Sequence, residues 1–215
     1  NEDVRRAAAE ALGKLGDPRA VPALSVWSHA GEHAARNALQ TLGHPALDLP
    51  QAVAQVAAQG AWGVLIRALP NKKVREAVVG LGSPAVPALM KALGGWNEYV
   101  RCAAAEALGE LGDPQAVPAL IQVLGDNRGW RIGYARRAAA AALGKIGDPQ
   151  AAPALIQALG DGSSSVCRAA AEALMEIGTP AVPALIQALG DSNWNVRCAA
   201  AAALGKLGDP QAVPA

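Results

Sequence analysis

The sequence predicts an all-α solenoid of stacked antiparallel helix pairs with a period of about 31 residues. Three observations support this fold class. A phrase of about twenty residues recurs almost unchanged, at 100–120 and again at 196–215. Each copy has apolar residues at helical spacing, and glycine and proline punctuate it at fixed places. No stretch shows the sustained alternation of apolar and polar residues that is typical of strands.

The repeat length follows from the second proline of the phrase. Successive second prolines lie 31, 35, 30 and 31 residues apart, at Pro87, Pro118, Pro153, Pro183 and Pro214. The longest interval contains extra residues at 126–137. The spacing is therefore regular enough for stacking, with one lengthened connection.

The first helix of each pair, which we call the A helix, begins at a Val-Arg pair. In one copy Val100, Ala104, Leu108 and Leu111 recur at i, i+4, i+8 and i+11, which predicts one buried stripe. The same pattern predicts buried stripes in the copies that start at Val4, Ala135, Val166 and Val196. A glycine that tolerates positive φ follows each A helix, at Gly16, Gly112, Gly147, Gly178 and Gly208.

The second helix of each pair, the B helix, follows a tight Asp-Pro, Ser-Pro or Thr-Pro turn. The second proline, for example Pro118, lacks an N–H and therefore fits only the first turn of a helix. A further glycine ends the B helix. Asp126, Asp161 and Asp191 are then expected to cap the next A helix or to turn the chain into it.

The combined pattern VRxAAAxALGxLGDPxAVPALIxALGD resembles the short HEAT-like repeat, the type also seen in phycobilin-lyase subunits, and it covers residues 1–24 and 73–215. The resemblance implies an armadillo-like α-solenoid whose A helices line a concave surface. It also implies a ladder of Arg–Asp pairs between repeats, and Cys167 breaks one rung because it replaces the arginine. The matching residues are Arg5, Arg75, Arg101, Arg136 and Arg197, with Asp126 and Asp191.

One solenoid domain is expected to cover residues 1–215, with an irregular segment at 25–72. This segment reads as a degenerate repeat plus an insertion, which reflects either drift in a tolerant solenoid or a partner-specific feature. It predicts helical pieces at about 50–59 and 61–69, split by Gly60. Both ends of the chain fall within a repeat. We therefore expect either an excerpt of a longer array or end-to-end self-association.

The copies differ mainly on one helix face, which we call the variable stripe. It starts two residues after the Val slot, about 200° around the helix from the core, and recurs every four residues. Its charges are mixed, which fits a protein or peptide partner of matching pattern, but an ordinary solvated face would look the same. The predicted partner-binding residues are Arg6, Glu10, Lys14, Cys102, Glu106, Glu110, Arg137, Lys145, Arg168, Glu172, Glu176, Cys198 and Lys206.

Aromatic residues form a second candidate binding surface, because they recur just before A helices. They either provide exposed anchors for a partner or cover the loops by packing on neighbouring repeats. The residues are Trp96, Tyr99, Trp130, Tyr134 and Trp194. Trp27 and Trp62, in the irregular part, are expected to fill space in the core.

Composition and charge exclude several function classes. The net charge is +1, from 19 basic and 18 acidic residues, so neither nucleic acid nor an anionic membrane is expected as the partner. Three cysteines without a disulfide or zinc spacing indicate a reducing compartment, and we expect a cytoplasmic protein. The start of the chain does not have the pattern of a signal peptide, and the most apolar stretch, 52–69, is interrupted by polar residues and glycines.

No catalytic or metal-binding constellation is present in the sequence, since His29 and His33 lack a third ligand at a suitable spacing. The sequence therefore predicts a non-catalytic scaffold that binds a protein or peptide and needs no cofactor. One alternative is a bilin lyase-like chromophore-binding subunit, whose pocket could form only in 25–72. Another is a DNA-binding solenoid of the alkylpurine-glycosylase type, although acidic residues interrupt its basic wall. A consensus-designed repeat protein is a third, but the uneven spacing argues against it.

Overall fold

The structure is a computed structural model of the chain, and it describes residues 2–126 and 133–208. These residues form fourteen α-helices and five 3₁₀ turns, and no strand occurs among them. The fold is therefore the all-α solenoid that the repeat pattern predicts. The chain divides into two compact units, Asn1–Ala88 and Leu89–Ala215. The expectation of one solenoid domain stays a prediction.

The first unit combines one regular repeat with the irregular segment. Its helices are α1 (Glu2–Leu15), α2 (Val21–His29), α3 (His33–Thr41), α4 (Leu49–Ala58), α5 (Trp62–Ala68) and α6 (Lys72–Val79). The A helices α1 and α3 pack side by side, α2 packs on α3 and α4, and α4 packs on α5 and α6. Gly60, at φ +70°, separates α4 from α5, which confirms the two predicted helical pieces. The boundary between the units falls within α7 (Val86–Leu93).

The second unit is the regular part of the chain. Its helices are α8 (Glu98–Leu111), α9 (Val117–Leu124), α10 (Gly133–Ile146), α11 (Ala152–Ala158), α12 (Ser164–Ile177), α13 (Val182–Ala188) and α14 (Trp194–Leu207). The A helices α8, α10, α12 and α14 pack in chain order, and the B helices α9, α11 and α13 pack in a second row. This arrangement makes two layers of helices around a core of alanine, valine and leucine.

Local sequence accounts for each turn between an A helix and its B helix. Gly112, at φ +67°, ends α8 in the left-handed region that favours glycine. The Asp113 side chain then accepts the Gln115 N–H at 2.9 Å and starts a 3₁₀ turn. Pro118 lies in the first turn of α9, as its missing N–H predicts.

The loops that lead into A helices use two polar residues in succession. Asp161 and Asp191 accept the N–H groups of Ser163 and Asn193 at 2.8 and 2.7 Å. Ser163 and Asn193 are in turn the N-cap residues of α12 and α14. The two aspartates therefore turn the chain into the next helix, and the caps themselves are the residues two positions later.

In the second unit the first three slots of each predicted stripe are buried, and the last slot is half-buried in three of the four A helices. Ala104 and Leu108 are fully buried and Val100 nearly so. In α1 the stripe prediction is wrong, since Ala8 and Leu12 are only half-buried. Leu15 is 75% exposed, although the pattern predicted it to be buried. It is the final residue of α1, so it lies at the rim of the packed layer. Trp27 is buried as expected, while Trp62 is half-buried.

In the part of the chain that the structure describes, no single helix has both the length and the apolar character to cross a membrane. The pair Ser164–Ile177 and Thr179–Ala188 satisfies these requirements only jointly, and it is bent by 114°.

Candidate functional site

Close packing of A helices fixes the spacing of the variable stripe in the second unit. A Cβ added to Gly109 of α8 would lie 2.8 Å from the Ala142 Cα of α10. A Cβ added to Gly144 of α10 would lie 2.7 Å from the Ala173 Cα of α12. Only glycine fits these two positions, so each contact is a notch that receives the alanine of the next A helix. The helices are therefore held side by side at short, repeated separations.

Two Arg–Asp pairs lock the other end of these A helices. Arg101 Nη2 donates to Asp126 Oδ2 at 2.7 Å, and both side chains are buried. Arg136 makes a two-point contact with Asp161, with N–O distances of 3.0 and 3.1 Å. The first pair confirms the expected ladder. The second pair involves Asp161, for which the sequence predicts only a capping or turning role.

Other members of the expected ladder have different partners. Arg5 donates to Glu32. Arg75 donates to the Leu69 carbonyl at 3.4 Å, and Arg197 donates to the Asp191 carbonyl at 2.8 Å. The expected pairing of an arginine side chain with the Asp191 carboxylate is thus wrong for Arg197, because its guanidinium folds back onto its own preceding loop.

Cys167 occupies the slot of the missing arginine. In both intact rungs the arginine precedes its aspartate by 25 residues, and the corresponding aspartate here is Asp191, which follows Cys167 by 24 residues. Cys167 Sγ instead donates to the Asp161 carbonyl at 3.0 Å, and the Asp191 carboxylate accepts the Asn193 N–H. The rung is broken here, as the substitution predicted.

One further contact between repeats was not foreseen from the sequence. The Glu98 side chain of α8 accepts the backbone N–H of Ala135, in the first turn of α10, at 2.8 Å. A carboxylate at a helix N-terminus satisfies an otherwise unpaired N–H and interacts favourably with the helix dipole. The signal was present in the sequence as an acidic residue beside Tyr99, but the contact joins residues 37 positions apart.

The variable stripe lies on the solvent side of the A helices. Of its thirteen predicted residues, eleven are exposed and two, Cys102 and Glu106, are half-buried. Three belong to α1 in the first unit and ten to the A helices of the second unit. Their exposure leaves these side chains accessible to a partner, which binding requires.

The last slot of the stripe alternates in charge from helix to helix. In the second unit it holds Glu110, Lys145, Glu176 and Lys206, on α8, α10, α12 and α14. The Lys145 stem lies 3.5 Å from the position of a Cβ on Gly109, and the Glu176 carboxylate lies over Gly144. The ion pairs recorded among the described residues do not include any of these four side chains. We call these four residues the charge row.

The aromatic candidates that the structure describes are exposed and do not cover the loops. Trp96, Tyr99, Tyr134 and Trp194 are 98%, 65%, 63% and 66% exposed, respectively. Trp130 lies outside the described residues. Trp96 is almost fully exposed, so it does not pack on a neighbouring repeat.

The exposed tyrosines share a helix face with the variable stripe. Tyr99 lies three residues before Cys102, and Tyr134 lies three residues before Arg137, so each pair is adjacent on the helix surface. From the sequence, the aromatic residues and the variable stripe are predicted to be two separate surfaces. The i,i+3 spacing was the signal that joins them into one.

The two half-buried cysteines, Cys102 on the variable stripe and Cys167 beside it, are poor nucleophiles at neutral pH. Burial raises the pKa of the Cys102 thiol to about 11, and the neighbouring Glu98 and Glu106 carboxylates contribute to the rise. Burial also raises the pKa of Cys167, and Asp161 adds to that effect. All three cysteines are free thiols. Within residues 2–126 and 133–208, no three His, Cys, Asp or Glu side chains converge on one point.

An open, largely apolar cavity of about 390 Å³ lies in the first unit, beside the irregular segment. It is lined by Pro18, Arg19, Val21, Pro22, His44, Leu47, Gln55 and Gln59. The Arg19 guanidinium is engaged by Asp17, with its Nη2 at 2.6 Å from Oδ2. The Leu47 N–H donates to the buried Ser25 hydroxyl at 3.0 Å and thereby positions the loop that carries His44.

Comparison with known families matches almost the whole chain. Residues 29–133, 133–182 and 168–215 match the family described as HEAT repeats. Residues 4–25 match the family described as the PBS lyase HEAT-like repeat. A search of curated protein sequences found no match.

Several solved structures have a fold similar to that of this chain, and three of them are compared with it. The complex of CpcE and CpcF of phycocyanin lyase from Nostoc sp. PCC7120 is 23% identical, over 67% of this chain and 98% of that chain, with a TM-score of 0.50. Human deoxyhypusine hydroxylase is 20% identical over 82% and 80%, with a TM-score of 0.47. A designed armadillo repeat protein in complex with the peptide (KR)4 is 18% identical over 87% and 99%, with a TM-score of 0.41. At these identities the likeness extends to the fold alone.

Proposed function

The chain belongs to the HEAT-repeat family, and we propose that it is a non-catalytic cytoplasmic scaffold that binds a protein or an extended peptide along the variable stripe. One observation carries this proposal. The stripe is exposed and changes charge from repeat to repeat, whereas the packing residues beside it are buried and nearly constant. Surfaces with patterned charge select partners whose charges are complementary.

Several features favour binding over an ordinary solvated face. Glycine notches and buried Arg–Asp pairs hold α8, α10 and α12 together, so the charges on these helices are already positioned before a partner arrives. Exposed Tyr99 and Tyr134 lie on the same face, and tyrosine is enriched in binding hot spots. The exposed acidic residues Glu110 and Glu176 would repel a phosphate backbone, which disfavours DNA as the ligand.

The non-catalytic and cytoplasmic parts of the proposal rest on chemistry. The stripe thiol that lies beside carboxylates is Cys102, and its pKa, raised to about 11, keeps it protonated at neutral pH. Three free thiols suit a reducing compartment. Binding by a rigid solenoid face requires neither a cofactor nor a metal.

Capture with matched variants tests the proposal. Wild-type protein and a variant with Glu106, Glu110, Glu172 and Glu176 changed to alanine would be used as baits in a cell lysate, and captured proteins identified by mass spectrometry. The control changes three exposed glutamines in equivalent slots of the B helices to alanine, namely Gln122, Gln157 and Gln187. We expect specific partners to be lost from the first variant and retained by the control. An identical partner set for all three baits would contradict the proposal.

A second candidate function is bilin binding in the first unit. The cavity beside the irregular segment favours it, because it has apolar walls and one imidazole, His44, at its edge. From the sequence, this alternative requires a deep pocket with a fixed acid or histidine, whereas this cavity is open and His44 is exposed. Titration with a bilin should then shift the bilin absorbance, and His44→Ala should reduce the shift. No shift with the wild-type protein would dismiss this candidate.

A further inference from the structure

We propose that the charge row recognises a peptide in the polyproline II conformation whose basic and acidic side chains alternate at every third residue. This inference rests on the proposed function and specifies the partner that the second unit would take. It concerns Glu110, Lys145, Glu176 and Lys206 alone.

The spacing of the A helices determines the spacing required in the peptide. Packed helices lie about 8–10 Å apart, and the notches at Gly109 and Gly144 allow the closest approach for the α8–α10 and α10–α12 steps, whereas α12 has Met175 in the equivalent slot towards α14. A polyproline II helix has three residues per turn and rises about 3.1 Å per residue, so side chains at i and i+3 share one side about 9 Å apart. One peptide turn therefore matches one step from an A helix to the next.

An extended β-strand would fit this row less well. Its side chains alternate between two faces with a period of two, so residues at i and i+3 point in opposite directions. Residues at i and i+2 share a face but lie only about 7 Å apart, short of the helix separation. The polyproline II conformation is the regular extended structure whose period and rise both agree with the row.

The charges of the row determine the order of charges in the peptide. From α8 to α14 the row is acidic, basic, acidic and basic, and all four side chains are exposed. The Lys145 stem and the Glu176 carboxylate lean towards the preceding helix, over Gly109 and Gly144 respectively. A complementary ligand therefore places lysine, glutamate, lysine and glutamate opposite α8, α10, α12 and α14 in four successive turns. Its chain can run along the row in either direction.

Three labelled peptides of equal composition test this inference by fluorescence anisotropy at low ionic strength. KPPEPPKPPE has alternating charges every third residue, KPPKPPEPPE has the same spacing in blocks, and KPEPKPEPPP has a spacing of two. Exposed ion pairs contribute weakly and are screened by salt, so we expect about a tenfold preference for the alternating peptide that falls as salt is added.

A charge-reordered variant provides the matched control. Lys145→Glu combined with Glu176→Lys changes the row to two acidic residues followed by two basic residues, without changing its net charge. This variant should prefer the blocked peptide over the alternating one, while its circular dichroism spectrum remains that of the wild type. Reversal of preference between the two proteins would support the inference and would not arise from a general loss of folding.

Two results would overturn the inference. One is equal binding of the three peptides, or preference for the spacing of two. That result would leave the proposed function standing if the capture experiment still shows partners that depend on the stripe. The other is the absence of binding to any peptide by the wild-type protein. Failure of the capture experiment itself, with unchanged partners for the stripe variant, would instead overturn the proposed function.

Discussion

Replacing Gly109 with alanine should separate α8 from α10. The added Cβ would lie 2.8 Å from the Ala142 Cα and 3.0 Å from its Cβ, so the backbone of one helix must move. Overpacking of this kind costs about 1–3 kcal/mol, and a clash with backbone belongs near the upper end. Alanine recovers about 1 kcal/mol through its higher helix propensity. We therefore expect a net loss of about 2 kcal/mol.

Gly205 provides a matched control for this substitution, because it occupies the equivalent slot of α14. Among residues 2–126 and 133–208, a Cβ there has no atom within 4 Å. Gly205→Ala should therefore gain only the propensity term and stabilise the protein by about 1 kcal/mol. For a chain of this length, thermal unfolding followed by circular dichroism should show a midpoint about 4–8 °C lower for Gly109→Ala and about 2–4 °C higher for Gly205→Ala. Changes of the same sign in both variants would refute the notch as the cause of the close helix spacing.

Two further predictions concern buried groups. Arg101→Ala removes the guanidinium that pairs with the buried Asp126 carboxylate, so it should cost about 3–5 kcal/mol in an unfolding titration, whereas Arg19→Ala, at an exposed pair, should change little. Equal effects would contradict the buried ladder. Cys102 should alkylate about tenfold more slowly than exposed Cys198 at pH 8. A pKa of about 11 lowers the fraction of Cys102 present as thiolate roughly a hundredfold, and the higher nucleophilicity of that thiolate restores part of the rate. Comparable rates by mass spectrometry would contradict that raised pKa.

Local rules allowed most of the fold to be predicted from the sequence. Gly112 and Pro118 each act within one turn of their own helix, so their roles can be inferred without knowing the neighbouring repeats. The same is true of Gly60, whose positive φ separates two apolar helices. Repetition then identified the fold, because similar copies must pack in similar ways.

Contacts between repeats were harder to predict. Asp161 lies in a slot that suits both turning the chain and pairing with Arg136, and the structure uses it for both. The role of Gly109 could not be predicted, since it depends on Ala142 in the next A helix. The position of the variable stripe could be predicted because helical geometry places it opposite the core. Its ligand could not, because exposure permits both binding and drift.

Site-specific photo-crosslinking tests the central claim of a binding stripe most directly. A benzoylphenylalanine placed at Glu110 or Glu176 lies on the variable stripe, and one placed at Gln122 or Gln157 lies on the exposed side of the B helices. With a partner identified by capture, the account predicts covalent adducts from the two stripe positions and none from the two glutamine positions. Adducts that form equally from both sets, or only from the glutamine positions, would contradict it.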